Sequence, residues 1–325
     1  MKLGVFTLLF GSKPFEETLD YLRSLGVETV ELGSGGYVKS THCPTEELLA
    51  DNSRVEQLKK AVADRGFEIS ALSCHGNPIH PDPKIADKHH DEFARSCKLA
   101  QQLGVTQVNT LSGCPGSHAE ARLPNWITCP FPAEDFLYPL EWQWNERVIP
   151  YWKRAAAIAS DHGVRVGLEM VPNNVVYNVE TLLRLRDAVG DAIGANLDPS
   201  HLFWQGADIG AVIRRLGPAI YHFHAKDSAV NPYVTAIDGI IDWKDLTQES
   251  RRAWIFRTVG YGHDQIAWNH IITQLRMAGY DGAVSIEHED SLMSADEGLR
   301  KAISLLNQVL IKEKPGVAYW AKLEG

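Results

Sequence analysis

Nowhere do uninterrupted apolar residues approach the ~18 to 20 that a helical membrane span requires, so no membrane partner is expected. The segment Leu3 to Phe10 runs straight into Gly11-Ser12-Lys13-Pro14 and lacks the charged and apolar regions of a secretory signal. Cysteine is sparse: Cys43, Cys74, Cys97, Cys114 and Cys129 are odd in number and form no CxxC pair. Reduced thiols in a cytoplasmic protein are the simplest reading. No basic stripe offsets the formal charge of −9, which argues against a nucleic-acid partner. The glycine cluster Gly33-Ser34-Gly35-Gly36 follows a strand-like run but lacks the GxGxxG spacing of a dinucleotide site.

What is present is an ordinary globular composition, 44% hydrophobic and 22% charged, in 325 residues. A single rhythm runs through it: strand, amphipathic helix, glycine, strand. Strands are expected at Lys2–Thr7, Thr29–Leu32, Glu68–Cys74, Gln107–Leu111, Arg165–Met170, Ile193–Asp198, Ala219–Ala225 and Gly282–Glu287. Helices are expected at about Pro14–Leu25, Thr45–Arg65, Ile85–Leu103, Trp142–His162, Val179–Val189, Ala207–Leu216, Asp264–Ala278 and Ala295–Leu310. Gly26, Gly66, Gly104, Gly163 and Gly279 close five of them.

Eight strand–helix pairs fit one α/β domain over residues 1–325, a closed (β/α)8 barrel, with a doubly wound open sheet as the runner-up. Two stretches break the rhythm, at about 114–140 and 226–262, and a tail follows from about 313–325. Insertions of this length are usually functional loops. The first holds five prolines, with Trp126, Phe131, Trp142 and Trp144 in or beside it. Three roles are open for these aromatics: a wall for the apolar face of a sugar, a loop core, or a subunit contact.

Four strands in the second half end in a carboxylate or an imidazole: Glu169, Asp198, His224 and Glu287. In a parallel barrel every carboxyl end faces one rim, so these four are expected to converge. Three carboxylates crowded together repel one another, and a divalent cation relieves that repulsion. Three oxygens and one imidazole suit Mn²⁺ first, then Mg²⁺ or Co²⁺; Zn²⁺ is possible, although no thiolate is offered.

The ordered motifs resemble those of the xylose isomerase-like TIM-barrel superfamily of sugar isomerases, sugar-phosphate isomerases and ketose 3-epimerases. They are Gly167-Leu168-Glu169, Leu197-Asp198-Pro199-Ser200-His201, His222-Phe223-His224-Ala225-Lys226-Asp227, Gly260-Tyr261-Gly262 and Ser285-Ile286-Glu287-His288-Glu289. The resemblance implies an enzyme that uses one divalent metal to move a proton next to a carbonyl of a sugar, through an enediolate. It implies Glu169 and Glu287 as the base and acid pair as well as metal ligands, and Asp198 and His224 as ligands. His201 would bind a substrate hydroxyl. A homo-oligomer, with a partner subunit able to complete the site, is the family expectation.

The chain departs from the ketose 3-epimerases at two places. Pro172-Asn173-Asn174 stands where they carry Asn-Arg-Phe-Glu, and Lys226-Asp227-Ser228 where they place an arginine. Lys226 or Arg257 is expected to supply the charge toward substrate. His75, at the end of the third strand, is a further substrate-binding candidate, with His80 weaker, and His222 reads mainly as a core histidine. On the same metal site a lyase or dehydratase acting on keto-sugars or 3-keto-glycosides, C-glycosides included, is the alternative function. Hydrolysis of abasic DNA and metal-free binding are remote ones.

Overall fold

A computed structural model describes residues 1–314, 316 and 320. Eight parallel strands close into a barrel: β1 (Lys2–Phe6), β2 (Thr29–Gly36), β3 (Glu68–His75), β4 (Gln107–Leu111), β5 (Arg165–Glu169), β6 (Ile193–Leu197), β7 (Ile220–Ala225) and β10 (Ala283–Ile286). Neighbours run in chain order, and β10 closes the ring between β7 and β1. The open sheet is thereby excluded. Two further strands, β8 (Asp227–Val230) and β9 (Trp254–Arg257), pair antiparallel outside the barrel and form the base of the second insertion.

Short side chains that accept amide hydrogens fix where the helices begin. Asp82 caps the helix Pro83–Leu103, Asp208 caps Ile209–Leu216, and Ser294 caps Ala295–Val309. Asn178 and Thr181 form a reciprocal capping box at the start of Val179–Val189. Two helices differ from expectation, and the first, Thr45–Arg65, is two helices, Thr45–Ala50 and Asn52–Asp64. Asp51 between them is extended (φ −141°, ψ 101°), and its side chain accepts from the Ser53 amide at 2.9 Å, so the chain restarts there. The helix expected from Trp142 starts earlier, at Leu137, and passes through a π-helical turn at Gln143–Val148 before continuing as Ile149–Asp161.

The helices pack their apolar faces on the outside of the barrel, with Leu19, Leu22, Phe93, Trp152, Ile213 and Trp268 among the fully buried side chains. Among the described residues no helix is long and apolar enough to cross a membrane, and all five cysteines are unpaired. The tail expected from about 313 lies largely outside the described residues.

Candidate active site at the barrel mouth

Register brings the four strand ends together. Glu169 lies opposite Asn196 in the β5–β6 pairing, and His224 opposite Ser285 in the β7–β10 pairing. Asp198 and Glu287 each stand one residue beyond their strand. One ligand atom from each of Glu169, Asp198, His224 and Glu287 lies within 4.8 Å of the others, and all but the partly exposed Glu287 are buried.

His224 is gripped from behind. Its Nε2 lies 2.9 and 3.0 Å from the two carboxylate oxygens of Glu31, which is fully buried in β2. Glu31 in turn accepts from Ser73 Oγ, from Ser285 Oγ at 2.6 Å and from Asn109 Nδ2 at 3.1 Å. That leaves Nδ1 of His224 facing the mouth, 3.1 Å from Glu287 Oε2 and 3.4 Å from Glu169 Oε2. A carboxylate behind an imidazole fixes its tautomer and raises its basicity as a ligand. Burial alone disfavours a charged His224, but Glu31 and Glu287 on either side raise its pKa well above the ordinary value. Burial likewise works against ionised Glu31, and the His224 and His222 charges overcome it and hold the carboxyl well below the usual range.

Glu169 Oε1 is 2.9 Å from His201 Nε2, and Oε2 is 3.3 Å from His75 Nε2 and accepts from Asn196 Nδ2 at 3.1 Å. Burial would raise its pKa, but His201 and His75 pull it well down. Lys226, almost wholly buried, places Nζ 2.7 Å from Glu287 Oε2, 3.0 Å from Asp198 Oδ2 and 3.0 Å from Glu289 Oε2. Against the effect of burial, Lys226 and His224 bring Glu287 down to about 2. Part of the counter-charge that crowded carboxylates demand is therefore built into the protein as an ammonium, which the strand ends alone do not reveal.

The donor set fits a divalent ion. Three carboxylates and an imidazole nitrogen converge, and Asp198 Oδ2, although buried, makes no well-formed hydrogen bond among the described residues. A second convergent set, Glu31, His222 and His224, is already occupied by its own hydrogen bonds. His222 Nδ1 lies 3.0 Å from Asn196 Oδ1 and Nε2 3.2 Å from Ser70 Oγ, and burial brings its pKa to about 4. It is a satisfied core histidine beneath the site.

A cavity of ≈700 Å³ opens above the cluster, and His75, His201 and Lys226 line it with Glu169 and Glu287. Arg257 does not. Its Nε donates to Asp290 Oδ2 at 3.1 Å and its guanidinium lies over Tyr261, so the substrate role expected for it is not supported. His80 accepts the Asp82 amide at 2.9 Å within its own loop. The Gly260-Tyr261-Gly262 motif is a clamp. The amides of Gly260, Gly262 and His263 and the indole of Trp268 all donate to Asp227 Oδ2, at 2.9 to 3.2 Å. A Cβ on Gly262 would stand 2.2 Å from the Ser228 carbonyl oxygen, so only glycine lets the backbone approach.

The aromatics of the first insertion are elsewhere too. Trp144 is buried under the Arg184 guanidinium, Trp126 packs edge-on against Tyr177, and Phe131 is exposed; none of them, nor Trp142, lines the cavity. Its aromatic wall comes from Trp204, Trp243, Trp254 and Phe256. Sequence reasoning missed these four, together with Glu31, Asn196 and Glu289. Glu31 and Asn196 did leave a signal, a polar residue inside an otherwise apolar strand.

Fold and mouth together define a (β/α)8 barrel with a carboxylate–imidazole cluster at the carboxyl ends of its strands. The chain belongs to the family described as xylose isomerase-like TIM barrel, whose model matches residues 19–309. A Bacillus subtilis (strain 168) protein described as the uncharacterized protein YfiH is 38% identical over 312 residues, 95% of this chain and 99% of that one. Among solved structures, the probable 3-DHS dehydratase AsbF of Bacillus anthracis superposes with a TM-score of 0.67 at 19% identity, covering 94% of this chain and 99% of that one. The IOLI protein with a bound zinc atom superposes with a TM-score of 0.65 at 19% identity, covering 95% and 98%.

Proposed function

We propose that this protein is a divalent-metal-dependent isomerase or epimerase that moves a proton on the carbon next to a carbonyl of a sugar or related polyol ketone. The single observation that carries this reading is the meeting of Glu169, Asp198, His224 and Glu287 beneath a cavity open to a small molecule. Asp198, His224 and the two glutamates would hold the ion, with His224 presenting Nδ1 because Glu31 occupies Nε2. When bound, such an ion polarises a carbonyl and stabilises charge developing on its oxygen.

The proton is left to the chain's own groups. Glu169 and Glu287 are both held ionised at neutral pH, so either can accept the proton; the glutamate that takes it returns it to the neighbouring carbon in isomerisation, whereas in epimerisation the other glutamate delivers to the opposite face a proton that it first takes from water. His201 and His75 face the cavity beside Glu169 and would hold substrate hydroxyls. Lys226 would keep Glu287 oriented and present a positive charge to a substrate oxygen. If the adjacent carbon bears a leaving group, the same proton loss expels it, which is the lyase reading. The aromatic wall of the cavity, which suits a substrate with an apolar substituent, is what supports this second reading.

The test is hydrogen exchange. The protein, supplied with Mn²⁺, is incubated in D₂O with ketohexoses, ketopentoses and keto-inositols, and deuterium beside the carbonyl is followed by NMR. Deuterium is expected in at least one of them, and Glu169→Gln and Glu287→Gln are each expected to slow it by about 10²- to 10⁴-fold. No incorporation anywhere in the panel would overturn the reading.

A further inference from the structure

We infer that the cavity takes a two-part ligand: a polyhydroxylated portion over the Glu169–Glu287 cluster, carrying a flat apolar substituent of the aromatic class that lies along Trp204, Trp254 and Phe256. This rests on the reading of the cluster as the reacting centre. The floor of the cavity is charged, and one wall leading out from it is aromatic without a break. Phe256 begins the track, with its ring 5.4 Å from that of His201 and the Lys226 ammonium 4.8 Å over its face. Trp254, two residues back along β9, meets Phe256 at 5.3 Å, and Trp204 stacks on Trp254 at 4.6 Å with the planes 2° apart. Trp243, 92% exposed, and Leu246 continue the surface to the rim.

Two features mark this wall as a binding surface and not a loop core. The indole nitrogens of Trp204 and Trp254 are shielded from solvent and have no acceptor among the described residues, although both residues line the cavity. Donors of this kind ordinarily find a partner, and none of the described residues supplies one. The loop is also fixed in place before any ligand arrives. Asp242, its side chain fully buried, accepts from the amides of Lys244 at 2.9 Å and Ala253 at 2.6 Å. Arg252, buried over the Trp254 ring, donates to the carbonyls of Lys244 and Trp254. A volume of ≈700 Å³ lies in the range of cavities that hold drug-sized ligands, and apolar walls with a few convergent polar groups are their usual lining.

The test is isothermal titration calorimetry of the full chain with Mn²⁺, using 4-nitrophenyl and methyl β-D-glycosides of glucose, galactose and xylose as paired probes. At least one nitrophenyl probe is expected to bind tenfold or more tightly than its methyl counterpart. Trp254→Ala is expected to erase that difference. Trp243→Ala, at an exposed position where folding is not at stake, is expected to cut it two- to threefold, and Phe131→Ala, exposed on the other insertion, to leave it unchanged. Equal binding of nitrophenyl and methyl probes across the panel would overturn the inference, as would a preference that survives Trp254→Ala. An aryl preference without hydrogen exchange would sink the proposed chemistry alone, and exchange without an aryl preference would sink the two-part ligand alone.

Discussion

The two insertions look alike as sequence and differ as structure. Residues 114–140 and the helical turns that follow keep their tryptophans away from the cavity, with Trp144 buried and Trp126 half-buried, and leave Phe131 exposed. Gln143 Nε2 donates to the carbonyls of Asn125 at 2.7 Å and Gly116 at 3.1 Å, and Trp144 is buried beside it. Residues 226–262 instead grow out of the β8–β9 hairpin and set Trp254 and Phe256 along the cavity beside Trp204, which follows β6. The difference lies in what roots each loop. The first is tied back to its own backbone, while the second starts from Lys226, inside the cluster, and from Asp227, on which three amides and an indole converge. Aromatic content alone says nothing about which loop lines the cavity; attachment to the charged cluster at the barrel mouth does.

The sharpest way to break this comparison is to remove one tryptophan from the first insertion. Trp144→Ala should destabilise the protein by about 3 to 5 kcal/mol, the usual range for a large buried aromatic, and leave metal and glycoside affinity in the remaining folded protein unchanged. Denaturant unfolding beside calorimetry checks both halves. A ligand-binding defect with little loss of stability would reverse the roles assigned to the two loops.

The floor that the second insertion is rooted in gives the next largest effect. Glu31→Gln should weaken divalent-metal binding by about 10- to 100-fold, because the imidazole of His224 loses the carboxylate that orients it. Titration with Mn²⁺ reads this directly, and unchanged affinity would make Glu31 a packing residue only.

The smallest effect belongs to the loop pin. Burial alone would raise the pKa of Asp242, but the Lys244 and Ala253 amides bring it from 3.8 to about 2. A carboxyl depressed by folding contributes stability that is fully present above its unfolded value and is lost as pH falls through its folded one. Asp242→Asn should therefore cost about 1 to 2 kcal/mol at neutral pH, through one amide left without an acceptor. The gap between variant and parent should close between about pH 4 and pH 2. Urea unfolding across that window measures it, and a gap independent of pH would remove the carboxylate from the explanation.

Much of the barrel was legible because each strand is a short apolar run with a defined end, and because helix caps and closing glycines punctuate the rest. The convergence of Glu169, Asp198, His224 and Glu287 followed from one fact, that parallel strands in a barrel share a rim. The helix break at Asp51 was not read, since Asp51 and Ser53 sit inside an otherwise helical pattern and only the backbone reveals which side chain turns to cap. The aromatic wall was illegible for a different reason. Trp204 lies just after β6 and Trp254 fifty residues on, and they stack only because β9 pairs with β8 in the observed register. Arg257 shows the converse: an arginine in the right segment has its charge taken by Asp290.

The central claim is that four side chains from four strands hold one divalent ion. Calorimetric titration of the metal-free protein with Mn²⁺, repeated on Asp198→Asn and on Glu169→Gln, tests it most directly. The expected result is one ion per chain, with affinity lowered at least tenfold in each variant. Binding that is absent, or that both variants leave unchanged, would contradict it.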